Sequence, residues 1–234
     1  MRQIVLDTET TGLSVADGHR IIEMGGVELV GRRLTGKHFH RYINPQREID
    51  AGALQIHGIT QSFLADKPLF REILDELLVY LEGAELIIHN ASFDISFLDY
   101  ELQLAGKQLP SLAQKHSVID TLQLARQKHP GQPNKLDALC KRYGVDNTER
   151  TLHGALLDAR LLAEVYLAMT GGQGSLFEES ALNPKVTRPT QIKQNIGRKR
   201  QPLTVIMADV VEEQAHQRQL AAIQKASGKC KWMT

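Results

Sequence analysis

Near the amino terminus, three apolar residues run straight into an acidic turn, Ile4-Val5-Leu6-Asp7-Thr8-Glu9-Thr10-Thr11-Gly12. An unbroken apolar run of this kind predicts a strand covered on both faces, in the middle of a sheet. Side chains alternate across a strand, so Asp7 and Glu9 project from the same face. Two neighbouring carboxylates at the end of such a strand either fray into water or hold a cation or proton between them. Burial and mutual repulsion both penalise the charged form.

The rest of the chain supplies the sheet. Residues 19–30 predict a second strand, Gly31-Arg32 a turn, and residues 34–43 a third strand running back. His38, His40 and Tyr42 share one face of that third strand, read as a solvated sheet face rather than a metal or base platform. Residues 51–60 form a short irregular or helical stretch. Apolar positions 69, 70, 73, 74, 77, 78 and 81 predict a helix over 68–82, closed by Gly83. Residues 86–88 form a short buried strand that enters His89-Asn90-Ala91-Ser92-Phe93-Asp94 and continues as a helix. A last brief strand spans 117–120, followed by helices at about 121–128, 135–143 and 153–169. A three-stranded meander followed by strands alternating with helices predicts an α/β domain with a mixed sheet flanked by helices. About 170 residues suffice for one buried core.

The composition changes after Gly171. Residues 1–170 carry 18 Lys and Arg against 22 Asp and Glu, whereas residues 171–234 carry 10 against 5. An acidic body with a basic tail is not a generic nucleic-acid clamp, whose positive charge would lie on the folded face. The expected division is a domain over 1–171, a flexible linker over 172–202 and a terminal segment over 203–234. In that last segment 203–208 predict a strand, and Asp209 with Glu212 begins a helix reaching to about Ser227. Its apolar residues are too few to hold it together, so it is expected to order on a partner. Cys140 and Cys230 have no metal-like spacing, which points to a reducing cytoplasm. No apolar run approaches the roughly 20 residues of a membrane span, and no charged-then-apolar leader opens the chain.

Three further residues carry chemistry. Asp94 follows a buried strand, where a strand-to-helix turn delivers it to the carboxyl edge of the sheet; alternatively it is a helix N-cap. Asp158 lies among Leu156, Leu157, Leu161 and Leu162, so it is either a ligand or paired with Arg160 or another nearby cation. His153 precedes Asp158 by five positions, about 500° of helix, so it serves best from the loop or first turn before that helix.

Together, Asp7-Thr8-Glu9-Thr10, the segment from His89 to Asp94, and His153-Gly154-Ala155-Leu156-Leu157-Asp158 resemble the three exonuclease motifs of the DEDD superfamily, histidine subclass. Residues 2–173 further resemble the proofreading (epsilon) subunits of bacterial DNA polymerase III, and the likeness continues more loosely to the end. The resemblance implies a ribonuclease-H-like fold and 3′–5′ hydrolysis of single-stranded or frayed DNA ends to nucleoside 5′-monophosphates. The loop after Gly12 looks short for the family. Four converging carboxylates suit two hard divalent cations, Mg²⁺ or Mn²⁺. By resemblance Asp7 bridges both, Glu9 and Asp158 hold the first, and Asp94 supports the second. His153 is the base, its ordinary pKa near 6.5 being suited to that task.

The family likeness also puts Thr10, Thr11, Leu13, His57, Asn90 and Phe93 around the terminal nucleotide, with core packing as the other reading of Phe93. It implies the polymerase III alpha subunit as partner of the tail and a theta-like subunit on the exonuclease domain. Gln173-Gly174-Ser175-Leu176-Phe177 resembles a sliding-clamp-binding motif, in which Gln173, Ser175, Leu176 and Phe177 would make the contacts; packing back on the last helix is the alternative. The implied place is the cytoplasm, at the nucleoid-associated replisome. An RNA 3′–5′ exonuclease and a non-catalytic scaffold are the competing readings. The long tail weighs against the first, and the presence of all four acids and His153 against the second.

Overall fold

The structure, a computed structural model, describes residues 1–107, 109–171 and 208–228. The pentapeptide 173–177, residues 203–207 of the expected terminal strand, Cys230 and the linker 172–202 lie outside the described residues.

The acidic strand β1 (Arg2–Thr10) is the middle of a five-stranded sheet. It pairs antiparallel with β2 (Ile21–Val30), which pairs antiparallel with β3 (Arg33–Tyr42). On its other side β1 pairs parallel with β4 (Glu85–Ile88), and β4 with β5 (Val118–Asp120). The order is β3-β2-β1-β4-β5. The meander and the later alternation of strand and helix are thus as expected.

Ile4, Val5 and Leu6 are fully buried, because both faces of β1 are covered. Ile4 and Leu6 meet the apolar stripes of α3 (Phe70–Leu81) and α4 (Ala91–Leu104), including Leu74, Leu77, Phe97 and Leu98. Val5 points the other way, onto Ala159, Leu162 and Tyr166 of α8 (Ala155–Thr170). Each such buried side chain contributes about 1.5–3 kcal/mol. These contacts offset the cost of holding several carboxylates at the strand end. Against the outer side of α8, residues of α6 (Thr121–Lys128) and α7 (Leu136–Tyr143) add a satellite cluster.

The stretch after Asn44-Pro45 folds as two short helices, α1 (Ala51–His57) and α2 (Gln61–Leu64). A one-turn 3-10 segment (Val15–Asp17) and α5 (Leu112–Lys115) are additions to the expected elements. Segments of three or four residues are too short to show a period. One sheet face also differs from expectation. His38 is exposed as expected, but His40 is half-buried and its Nε2 lies 2.7 Å from Oε1 of the buried Glu23. The Tyr42 ring is also engaged, packing edge-on against Phe63.

The chain divides into two compact units, Met1–Leu182 and Asn183–Thr234. Described in the second is α9 (Val210–Ser227), opened by the expected capping box between Asp209 and Glu212. No helix among the described residues is long and apolar enough to cross a membrane.

Candidate active site

The four acids reach one cavity by three routes. On β1, Asp7 and Glu9 point to the face covered by α8, and their partners across the ladder are Gly25 and Glu23. Gly25 lacks a Cβ for a steric reason: a methyl there would overlap the backbone of Ala155 and Leu156. The first turn of α8 therefore lies directly on the sheet, and Asp158, in that turn, comes beside Asp7 and Glu9. Asp94 arrives from the strand-to-helix turn after β4. Asn90 takes the left-handed conformation (φ 64°) that turns the chain, a region in which Asn is tolerated better than most residues. Asn90, rather than Asp94, is then the N-cap, and Asp94 is buried in the first turn of α4.

Two side chains fix that arrangement. Thr8, between the paired acids but on the opposite face, donates its hydroxyl to Asp94 Oδ1 at 2.7 Å. Asp120, at the end of β5, accepts from the backbone N–H groups of Asn90 and Ala91 at 3.2 and 3.3 Å and from Leu122 and Gln123 at 2.9 and 3.2 Å. One carboxylate thus holds the starts of both α4 and α6.

The electrostatics follow from burial. Asp7 is held well above the ordinary carboxylate range by burial, then by the charges of Asp94, Glu9 and Asp158. Burial, with Asp158 and Glu23 nearby, pushes Glu9 to about 8. Burial raises Asp94 to about 7, despite the Thr8 hydrogen bond. Such a cluster takes up protons or cations at neutral pH. Single ligand atoms of Glu9, His153 and Asp158 lie within 4.8 Å of one another. An oxygen-rich donor set of that spacing fits a hard divalent cation.

Asp158 does have a cationic partner, but it is Arg150 and not Arg160. Arg150 donates Nε to Oδ1 at 2.5 Å and Nη2 to Oδ2 at 2.7 Å, and it also reaches Asp137 Oδ1 at 2.8 Å. Its Nη2 lies 3.0 Å from His153 Nδ1. His153 stands just before α8, as its spacing predicts, 3.6 Å from Asp158 Oδ2 and with its side chain 44% exposed. Burial and then the Arg150 charge lower its pKa, so the imidazole is neutral at pH 7, and its unprotonated nitrogen, which faces the Arg150 donor, can take up a proton.

Thr10, Leu13, His57, Asn90 and Phe93 line the cavity. Leu13, on its rim, is 82% exposed. Phe93 does both things foreseen for it, lining the cavity and packing on Phe97 at 4.9 Å between ring centroids. His57 Nδ1 accepts from Ile59 N–H at 3.0 Å, so the neutral ring carries its proton on Nε2, which has no partner among the described residues. Thr11 departs from expectation. It is fully buried, and its hydroxyl binds His19 Nδ1 and accepts from Arg20 N–H, so it holds the turn and lies off the cavity wall. Residues Gln173, Ser175, Leu176 and Phe177 lie outside the described part.

The family model for "Exonuclease" matches residues 4–166. The DNA polymerase III epsilon subunits of Salmonella typhimurium and Escherichia coli are each 50% identical over 235 residues, covering 99% of this chain and 97% of the relative. Exonuclease X, solved in complex with 5′ overhanging duplex DNA, superposes with a TM-score of 0.57 at 28% identity, over 74% of this chain and 93% of that one. The nuclease domain of 3′hExo, a DEDDh family member bound to rAMP, gives 0.62 at 22% identity, over 72% and 90%. That second likeness concerns the fold alone, which is ribonuclease-H-like.

Proposed function

Because the chain belongs to the exonuclease family and, within it, to the epsilon subunits of DNA polymerase III, we propose that this 3′–5′ exonuclease proofreads for the replicative polymerase with the residues of the cavity. The observation that carries the site assignment is convergence: Asp7, Glu9, Asp94 and Asp158, spread over 151 positions of sequence, line one cavity with His153. Nothing in the packing of the core requires acids there.

Asp7 would hold two divalent cations, Mg²⁺ or Mn²⁺, together with Glu9 and Asp158 on one side and Asp94 on the other. When bound, they supply the charge that neutralises the cluster and the acidity that ionises water near neutral pH. The chain's own residues do the rest. Neutral His153 takes one proton of the attacking water, the bond from phosphorus to the 3′ oxygen of the penultimate nucleotide breaks, that oxygen takes a proton from solvent to end the shortened strand as a 3′-hydroxyl, and the terminal unit leaves as a nucleoside 5′-monophosphate. Thr8 keeps Asp94 aimed at the cavity and Asp120 keeps the turn behind it from shifting. Leu13 and Phe93 offer apolar surface to the terminal base, while Thr10, Asn90 and the Nε2–H of His57 offer hydrogen bonds to the sugar and phosphate.

The chain beyond residue 171 belongs to assembly in this reading. Residues 203–234 bind the polymerase (alpha) subunit, 172–202 act as linker, and 173–177 dock on the sliding clamp. A small theta-like subunit sits on the 1–171 domain, and the whole works in the cytoplasm at the replisome. The side chains of α9 are exposed except for a half-buried Leu220, which suits a helix that folds onto a partner. The test is excision from a primer with a mispaired 3′ end. Release of nucleoside 5′-monophosphate with Mg²⁺, faster than from the paired primer and absent with chelator, supports the reading; equal preference for an RNA end would favour an RNA exonuclease.

A further inference from the structure

The cavity is larger than the acidic cluster needs. Its volume of about 1360 Å³ exceeds the roughly 300–1,000 Å³ that holds one small ligand. It also has a second wall made by α6, the connection after it and the start of α7, where Leu122, Arg126, Gln132 and Lys135 line it. The charge reverses there. On this wall Arg126 and Lys135 stand against one acid, Asp137, which Arg150 engages, whereas Asp7, Glu9, Asp94 and Asp158 line the rest of the cavity.

Three cations line the cavity, and they are not equivalent. Arg150 is committed to Asp158 and Asp137. Arg126 and Lys135 are exposed, and their side chains make no hydrogen bond or ion pair among the described residues. The connection that presents them is braced from behind. Arg142 donates Nη1 to Asn134 Oδ1 at 3.0 Å and Nη2 to the Pro133 carbonyl at 2.8 Å. Asn134 is itself buried and donates to the His129 carbonyl at 3.3 Å. One arginine thus stiffens the wall while two basic side chains stay available on it.

Free cations at the end of a cavity whose other end is acidic suit a polyanion that enters by its tip. We propose that Arg126 and Lys135 hold the phosphates of the nucleotides immediately 5′ of the terminal one, so that the strand leaves the acidic end along the α6–α7 wall. The inference rests on the exonuclease reading above and assigns the path of its substrate. Contacts to phosphate position a strand without reading its sequence, which is what a terminus of any sequence requires.

The test is the salt dependence of binding. The ligand is an oligothymidine octamer whose last linkage is a methylphosphonate, uncharged and not cut, titrated with Mg²⁺ present. Two phosphate contacts on a single strand are worth a slope of about 1.4 in log K against log salt. Between about 50 and 200 mM salt, the parent's affinity should therefore fall about sevenfold more than that of the Arg126→Gln, Lys135→Gln double variant. Arg126→Lys should keep the parent's slope. So should Arg71→Gln with Lys115→Gln, which removes two exposed cations away from the cavity. Equal slopes for the parent and the Arg126, Lys135 variant would overturn the proposal, as would an equal loss in the remote double variant. A parent that binds the octamer with this slope but leaves an ordinary octamer uncut would count against the exonuclease reading, not against the path.

Discussion

Arg150 grips Asp158 in a two-point fork, with N–O distances of 2.5 and 2.7 Å and the two side chains 6% and 4% exposed. Charge-assisted pairs of this geometry are among the strongest in proteins. The same guanidinium lowers the pKa values of Asp7 and Glu9. It is thus the cluster's own source of positive charge, set against a carboxylate that the proposed chemistry assigns to a cation.

Arg150→Gln should therefore expose a dependence on metal. Breaking a buried pair from one side costs about 3 kcal/mol or more, which for a domain of this size lowers the melting temperature by roughly 6–12 °C. That loss is expected in chelator, and Mg²⁺ or Mn²⁺ should stabilise the variant more than the parent. Identical melting curves in chelator would mean that the fork contributes nothing.

Asp7→Ala and Asp158→Ala should both abolish excision but move stability in opposite directions. Removing Asp7 relieves the repulsion that burial imposes on it, so melting in chelator should stay level or rise. Asp158→Ala leaves Arg150 with Asp137 alone, and melting should fall. The measurement is thermal unfolding of both variants beside a primer assay.

The pH dependence of the chelated protein has a definite sign. Glu9 and Asp94 titrate at about 8 and about 7 in the fold, above their ordinary 4.5 and 3.8. The folded protein keeps protons that the unfolded chain has released, so this stabilisation is present at low pH and is lost as pH rises through those values. His57, His89 and His153 have lowered pKa values, so their opposite contribution grows as the unfolded chain's histidines lose their protons around 6.5 and levels off about a unit above it. From pH 6.5 to 8 the melting temperature should fall in chelator, and Glu9→Gln should flatten the decline. Divalent cations, which displace protons from their ligands, should stabilise more at the upper end. A melting temperature that climbs across this interval in chelator would contradict the burial of these acids.

His153→Ala should lower turnover by roughly 10²–10⁴-fold, the usual worth of general acid–base catalysis. The parent's rate should rise with pH through a pKa below 6.5, as the lowered histidine value requires, and the variant should lack that rise. If the rise persists, the proton goes elsewhere.

How legible this was depended on the range of the interaction. The apolar run of β1 announced a central strand, and the two-residue period placed Asp7 and Glu9 on one face, because both signals are local. The three motifs then located Asp94, His153 and Asp158. What sequence reasoning missed is the layer behind them. Arg150 lies eight positions before Asp158 in a stretch without period, and Asp120 looks like any strand end until its carboxylate is seen holding backbone amides 29 and 30 positions away. His40 reads as surface until Glu23 is found across the ladder. Gly25 is a hint within a strand, since an interior glycine signals close backbone approach.

The central claim is that these four carboxylates form one cation site, and a Mn²⁺ titration followed by electron paramagnetic resonance addresses it without relying on catalysis. Two bound ions per chain are expected for the parent, and a loss of binding after Asp7→Ala, the residue assigned to both. An unchanged number of ions bound with unchanged affinity by Asp7→Ala would contradict it.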